Sequence, residues 1–178
     1  MSRLADSLAR LFGRVEIFAR GADDDRRGAE EALGRGHHLE ARDHARALLV
    51  RVPRSPLGLA LWADAAEGCW LDHEVVEALS QLVAEVPWRH DAWLRLGLAG
   101  LKAGWAHARM ALERAAGAVD DPAIARRALL ALADVDIHAG ELGRARRWLE
   151  RVPSHPSQPD PALALRRAEC AIAEGEVE

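Results

Sequence analysis

The sequence of 178 residues contains no tyrosine, no threonine and no asparagine, and it has only one lysine and two cysteines. β-branched residues are sparse, whereas alanine, leucine and arginine are abundant, and this composition favours helices over a large sheet. Cys69 and Cys170 lie too far apart along the chain to indicate a disulfide framework or a metal-binding knuckle. The composition therefore predicts an all-α protein from a reducing compartment.

No segment has a strong basic excess or a long apolar run. The formal net charge is −4, and no third of the chain is strongly basic, so a nucleic-acid partner is not expected. No stretch of about 18 uncharged apolar residues is present, so no membrane span is expected. Residues 1–20 carry charges throughout and lack the apolar core of a secretory signal. We therefore expect a cytoplasmic protein, and the use of arginine over lysine indicates a GC-rich, bacterial genome.

Motifs for catalysis or ligand binding are also missing. None of the six serines stands in a GxSxG context, and none of the eight histidines belongs to an HExxH pattern or has a cysteine at ligand spacing. GRGHHLEA, residues 34–41, lacks the Lys-Ser/Thr of a phosphate loop. Residues 23–25, three aspartates, fit an acidic helix start better than a calcium loop. We predict no enzyme, no metal site and no cofactor.

What the sequence does contain is a repeat of about 34 residues. Pro53 and Pro87 are 34 residues apart and close the similar phrases ARALLVRVPRSP and LSQLVAEVPWRH, and Pro153 closes a third. Glycines recur in mid-unit at Gly36, Gly104, Gly140 and Gly175. Trp70 stands where the glycine after Gly36 would fall. Glycine supplies the left-handed turn after a helix and proline cannot continue one, so the pattern predicts repeated helical hairpins.

The repeat resembles the tetratricopeptide (TPR) family. Trp93, Leu96 and Gly97 occupy the W-x2-L-G positions that open that family's repeat, with Gly100 in place of the usual aromatic. The turn glycine, Gly104, follows, although the next small residue comes one position early. The first unit matches at Gly36, Ala41, Leu48 and Pro53, and the fourth at Gly140, Leu142, Ala145 and Leu149. The second unit keeps only its apolar character and Pro87, and looser half-a-TPR repeats remain an alternative.

The resemblance implies an all-α, right-handed α-α superhelix: a TPR-like solenoid of about four helical hairpins plus terminal helices. We expect an N-terminal amphipathic helix in residues 1–21 and a repeat domain in residues 22–178. The units are predicted at about 22–55, 56–89, 90–121 and 122–156, with a final helix in 160–175. The predicted helices are 2–19, 24–35, 38–51, 57–68, 73–85, 90–103, 106–116, 123–138, 142–151 and 161–174. Asp121 and Asp160 are the predicted N-caps of the helices 123–138 and 161–174. A proline follows each of these aspartates.

The two ends leave alternatives open. Leu4, Leu8, Leu11, Phe12, Val15 and Phe18 form one apolar stripe at helical spacing. The stripe predicts a helix that caps the first repeat, and docking to another protein, formation of a homo-oligomer and contact with a membrane surface are the weaker alternatives. At the other end, Gly175 begins a turn phrase, so residues 161–174 are either a terminal cap or part of a longer array.

Small and aromatic residues are assigned packing roles. Gly97 and Ala108 are predicted to lie where the two helices of the third hairpin cross, because a larger side chain there would separate the backbones. Trp62 and Trp93 are predicted to fill gaps between hairpins. Trp88 follows a helix-ending proline and is a candidate contact residue, since tryptophan is enriched at binding hot spots.

In the TPR family ligand peptides usually lie in the groove lined by the first helices, and the resemblance carries those positions to this chain. The implied partner-binding residues are Arg26, Glu30, Asp64, Glu67, Asp91, Leu94, Leu98, Leu101, Lys102, Arg127, Asp134 and His138. The Lys/Asn clamp that holds a peptide C-terminus in chaperone-docking TPRs is not expected here, because the chain has no asparagine. Acids around a leucine patch instead suit an amphipathic helix or extended segment with apolar anchors and basic flanks. Alternatively, those leucines contact a neighbouring unit or the N-terminal helix.

The first hypothesis for function is therefore a non-catalytic scaffold or adaptor that binds a protein or peptide, with binding weakened by Leu98→Glu or Asp64→Arg. The second is a regulatory or sensor repeat domain of a larger enzyme or transcription regulator. The third is a structural homo-oligomer formed through the N-terminal helix.

Overall fold

The structure is a computed structural model that describes residues 19–153, 160–173 and 175. Within these ranges all regular secondary structure is helical. The first helix, α1, covers residues 19–34 of the described part. The others are α2 (His38–Arg51), α3 (Pro56–Gly68), α4 (Asp72–Glu85), α5 (His90–Ala103), α6 (Ala108–Ala115), α7 (Pro122–His138), α8 (Leu142–Arg151) and α9 (Pro161–Ala173). The all-α prediction is confirmed. Among these helices none combines the length and the apolar character that crossing a bilayer requires.

The chain divides into two compact units, residues 1–86 and residues 87–178. In the first unit α2 packs on α3 and α3 on α4, and Ala32, Ala41 and Ala65 join α1, α2 and α3 in a small core. In the second unit α5 pairs with α6, α7 pairs with α8, and the first helices α5, α7 and α9 are successive neighbours. Each unit is therefore built from helical hairpins, as the repeat predicts.

Left-handed turns join the helices of each hairpin. Gly36, Gly104 and Gly140 have φ angles of 75°, 69° and 74°, and Gly175 after α9 has 73°. Trp70, in the turn between α3 and α4, has φ of 60° although it carries a side chain. A residue with a Cβ atom loses about 1–2 kcal/mol in this conformation, which is why glycine is the usual choice. The predicted turn positions are confirmed, and Trp70 occupies one of them under strain.

Trp70→Gly is expected to raise the free energy of unfolding by about 1 kcal/mol, because glycine relieves the left-handed strain. Little packing is lost, since Trp70 is 82% exposed. Denaturant titration followed by circular dichroism measures the change. Gly140→Ala, at an equivalent turn, is the control and should lose about 1 kcal/mol. A Trp70→Gly variant less stable than the natural chain would contradict the strain argument.

Prolines and aspartates mark helix ends as the sequence predicts. Pro53, Pro87 and Pro153 each lie two residues beyond the last residue of a second helix. Asp121 and Asp160 each accept two hydrogen bonds of 3.1 Å from the backbone N–H groups of the second and third residues of the following helix. These N–H groups have no partner inside the helix, so the two side chains cap α7 and α9.

Glycines in α5 allow α6 to approach closely. A Cβ atom on Gly97 would lie 2.6 Å from Cγ and Cδ2 of Leu112, and one on Gly100 would lie 3.0 Å from Cβ of Ala108. Leu112 and Ala108 are both buried. The predicted role of small residues at this crossing is confirmed, with one refinement: Ala108 faces Gly100 rather than Gly97.

The predicted break between helices 2–19 and 24–35 is wrong, because α1 passes through Gly21 without interruption. A Cβ atom on Gly21 would lie 2.7 Å from Nη1 of Arg51. The Nε of Arg51 donates a 2.7 Å hydrogen bond to Asp25 of α1. Gly21 therefore makes room for an arginine of α2 instead of ending a helix. The apolar stripe predicted in residues 4–18 lies outside the described residues.

Candidate functional site

In the first unit the predicted groove residues lie on the first helices. Arg26 and Glu30, one turn apart on α1, form an ion pair of 2.9 Å. Asp64 and Glu67 lie on α3 and are exposed. An exposed pair at this spacing contributes only about 0.5 kcal/mol, so a partner's charged group can compete for either member.

In the second unit the leucines predicted as contact residues have different environments. Leu94 is 3% exposed and belongs to the core of the unit. Leu98 is half-buried against the same core, whereas Leu101 is 40% exposed. The contact role implied for Leu94 is therefore corrected, because its side chain packs inside its own unit. The apolar patch open to a partner consists of Leu98 and Leu101.

Two acids predicted to line the groove are already bound by arginines. Asp134 of α7 accepts two hydrogen bonds of 2.6 Å from Arg166 of α9. Asp91 accepts a 3.1 Å hydrogen bond from Nε of Arg89, and this bond is the main cause that holds the pKa of Asp91 below its ordinary value. The carboxylate of Asp134 attaches α9 to α7, and its contact role stays a prediction.

The remaining predicted residues of the second unit form what we call the α5–α7 face. Lys102 follows Leu98 and Leu101 on α5, and Arg127 and His138 lie on the neighbouring helix α7. All three of these polar side chains are exposed. The imidazole Nδ1 of His138 is 2.7 Å from a backbone carbonyl oxygen of its own helix, which fixes the ring. The face thus combines two partly exposed leucines with cationic and polar groups.

The second unit also contains a buried cluster that the sequence patterns do not reveal. The side chain of Asp136, on α7, is fully buried. Its carboxylate accepts hydrogen bonds of 2.6 and 3.0 Å from Arg109 of α6 and one of 2.9 Å from Nε1 of Trp148 of α8. Burial alone would raise the pKa of Asp136, but the hydrogen bonds from Arg109 and Trp148 outweigh it, so the pKa lies below its ordinary value. The cluster ties three successive helices together.

A similar cluster joins three helices of the first unit. Glu74 of α4 accepts a 2.9 Å hydrogen bond from Nε1 of Trp62 of α3 and a 3.4 Å bond from Arg42 of α2. In both units the carboxylate lies four residues from the hairpin's turn residue, Trp70 or Gly140, and the tryptophan lies eight residues from it on the other helix. In the first unit the tryptophan precedes the turn and the carboxylate follows it, whereas in the second unit this order is reversed. Arginine, carboxylate and tryptophan therefore form a recurrent tie between hairpins.

Tryptophan environments agree with the assigned roles. Trp62 is buried, and Trp93 packs against the core of the second unit while its Nε1 donates a 2.8 Å hydrogen bond to the carbonyl of Pro87. Both are packing residues, and their placement in gaps between hairpins stays a prediction. Trp88, the candidate contact residue, is exposed.

Two of the described histidines have packing roles. The rings of His44 and His38 lie against Gly28 and Gly68, where a Cβ atom would come within 2.8 and 2.2 Å of ring nitrogen or carbon atoms. Among the residues that the structure describes, no three histidine, cysteine, aspartate or glutamate side chains are placed to hold a metal ion. His155 lies outside that part of the chain.

The sequence matches no protein-family model and no curated protein. Solved structures do match. One, described as the crystal structure of MamA protein, aligns with a TM-score of 0.72 and 16% identity over 89% of this chain and 94% of that chain. Another is the Sgt2 TPR domain from Aspergillus fumigatus, with a TM-score of 0.55 and 22% identity over 79% of this chain and 89% of that chain. At such low identity these likenesses show the fold alone. This chain has the all-α fold of a TPR-like helical repeat.

Proposed function

We propose that this chain is a non-catalytic protein–protein interaction module, a scaffold or adaptor that binds a peptide or helix of another protein along its first helices. The observation that carries the proposal is the α5–α7 face. There the first helices α5 and α7 are in contact, Leu98 and Leu101 are partly exposed on α5, and the exposed Lys102 follows them in the sequence. Partly exposed leucines flanked by polar residues are the surface into which an amphipathic segment places its apolar anchors.

Each part of the proposed site has a separate role. Leu98 and Leu101 would contact the apolar anchors, and Lys102 and Arg127 would pair with carboxylates of the partner. The first unit, taken by itself, has Glu30, Asp64 and Glu67 on its first helices, and these would accept basic groups of a partner. The contribution of each exposed charge is small, so the leucines would supply most of the affinity and the charges most of the selectivity.

The test compares two apolar residues of one hairpin that have nearly equal exposure. Leu101 of the first helix α5 is 40% exposed, and Met110 of the second helix α6 is 42% exposed. After the partner has been isolated on the tagged chain from native lysate, Leu101→Glu is expected to weaken its binding at least about tenfold. Met110→Glu should change it less than about twofold. Isothermal titration of the purified pair measures both constants.

Leu98→Glu is the less selective variant, because Leu98 also packs on the core and its loss would lower stability. Asp64→Arg tests the first unit and is expected to weaken binding of a partner with basic flanks. Equal effects of Leu101→Glu and Met110→Glu, or a larger effect of Met110→Glu, would remove the α5–α7 face from the proposal.

A further inference from the structure

We propose that the outward side of α8 is a second binding surface, which takes an acidic segment of a partner protein that also carries an apolar side chain. This surface, which we call the arginine face, consists of Arg144, Arg147, Trp148 and Arg151. It lies on the second helix of its hairpin, whereas the proposed groove is built from first helices. The inference is therefore independent of the α5–α7 face.

Sequence spacing and exposure define the arginine face. The ten residues of α8 include four arginines and one glutamate. Arg144, Arg147 and Arg151 are exposed, and residues three, four and seven positions apart lie on the same side of a helix. Together with the ring of Trp148 they border a shallow cavity of about 180 Å³. Three guanidinium groups thus surround one aromatic surface.

Contacts to the interior hold most of this surface in place. Nε1 of Trp148 donates to the buried carboxylate of Asp136, and the guanidinium of Arg151 lies 5.0 Å from the centre of the Trp148 ring. Nε of Arg144 is 3.6 Å from Asp136. A ring and two guanidinium groups with restricted positions lose little conformational entropy when a ligand binds.

Two arginines of the arginine face, Arg147 and Arg151, form no ion pair with an acid that the structure describes, whereas Arg144 has acidic neighbours. Asp136 carries one negative charge and accepts two hydrogen bonds from Arg109. Arg144 is therefore a second cation beside the same carboxylate. Arg144 also approaches Glu141 at 3.5 Å. Arg147 makes no hydrogen bond or ion pair with any residue that the structure describes. Guanidinium groups in such a position bind carboxylates through paired hydrogen bonds.

The size and charge of the surface favour an acidic peptide over a nucleic acid. Arg147 and Arg151 are four residues apart, about 6 Å along the helix axis. Residues two apart in an extended peptide lie on the same side and about 7 Å from each other, so two carboxylates can meet these two arginines. An apolar side chain two residues farther along the same side of the peptide can then contact the indole of Trp148. A nucleic acid would need a wider basic surface, and the formal net charge of the chain is −4.

The experiment uses a fluorescein-labelled octapeptide in which aspartate, glutamate and leucine occupy successive alternate positions with serine between them, so that acids and leucine share one side of the extended chain. Its anisotropy is measured as the full chain is added. Arg147→Glu and Arg151→Glu are each expected to weaken its binding at least about tenfold. Arg27→Glu, an exposed position in the other unit with the same change of charge, should weaken it less than about twofold. An octapeptide with asparagine and glutamine in place of the acids should bind at least about tenfold more weakly.

Several outcomes would overturn the inference. Equal loss of binding in Arg27→Glu and Arg147→Glu would mean that only the net charge attracts the peptide. Equal binding of the acidic and amide peptides would remove the role of the carboxylates. A single-stranded oligonucleotide or inorganic phosphate that displaces the peptide at a lower concentration than unlabelled peptide does would assign the surface to those anions instead. Absence of any anisotropy change at millimolar protein would exclude an acidic peptide altogether.

Discussion

Asp136→Ala is expected to lower the free energy of unfolding of the second unit by about 3 kcal/mol. The variant leaves Arg109, whose side chain is 31% exposed, with Glu113 as its remaining acceptor, and it removes the carboxylate to which Nε1 of Trp148 donates. Removing one member of a hydrogen-bonded ion pair is more damaging than never having had the pair, because the remaining charge stays partly desolvated. Native-state hydrogen exchange of the amides of α7 measures the loss in the unit concerned.

Glu74→Ala is the matched control, since Glu74 accepts the corresponding bonds from Trp62 and Arg42 but is half-buried. Its loss of unfolding free energy should be smaller, about 1 kcal/mol.

The pH dependence of the stability provides a second check on Asp136. The pKa of Asp136 is lowered in the folded chain from 3.8, so its stabilising effect is present above that pH and disappears as the pH falls through the folded value. The stability difference between the natural chain and Asp136→Ala should therefore shrink below pH 3.8. An unchanged difference would contradict an ionised Asp136.

Gly97→Ala is expected to lower the free energy of unfolding by about 2 kcal/mol, although alanine is the better helix former. The new methyl group would lie 2.6 Å from two side-chain atoms of Leu112 and 3.1 Å from its backbone nitrogen. Leu112 is fully buried and cannot turn away, so α5 and α6 must separate. Denaturant titration measures the loss.

Gly143→Ala is the control for helix propensity. Gly143 lies in α8, and a Cβ atom there would meet nothing within 4 Å. The free energy of unfolding of this variant should rise by up to about 0.5 kcal/mol. Opposite signs for the two glycines support close helix packing at Gly97. A gain of stability in Gly97→Ala would show that the two helices are farther apart than described.

Local chemistry explains why most of the fold could be predicted. A left-handed turn and a missing N–H group are properties of single residues, so Gly104, Gly140, Pro87 and Pro153 mark helix ends wherever they stand. Gly21 does not end a helix, because a glycine inside a helix can also leave space for a side chain of another helix. Here that side chain is Arg51 of α2. A sequence pattern contains no information about which distant side chain needs the space.

The candidate site was harder to predict because burial and pairing depend on neighbours far along the chain. Leu94 and Leu98 are four residues apart on α5, yet the first is buried by the core while the second is partly exposed. Asp134 is attached to Arg166, 32 residues later. Asp136 meets Arg109, 27 residues earlier. Two acids within the apolar stretch 128–137 were the available signal of a buried carboxylate.

The most direct test of a recognition surface on the first helices is photo-crosslinking in the native cells, with a benzophenone amino acid at Leu101 or at Met110. The two positions belong to one hairpin and are 40% and 42% exposed, so they differ in helix rather than in accessibility. The account predicts a specific crosslinked protein from position 101 and none, or far less, from position 110. The same protein crosslinked with equal yield from both positions, or from position 110 alone, would contradict it.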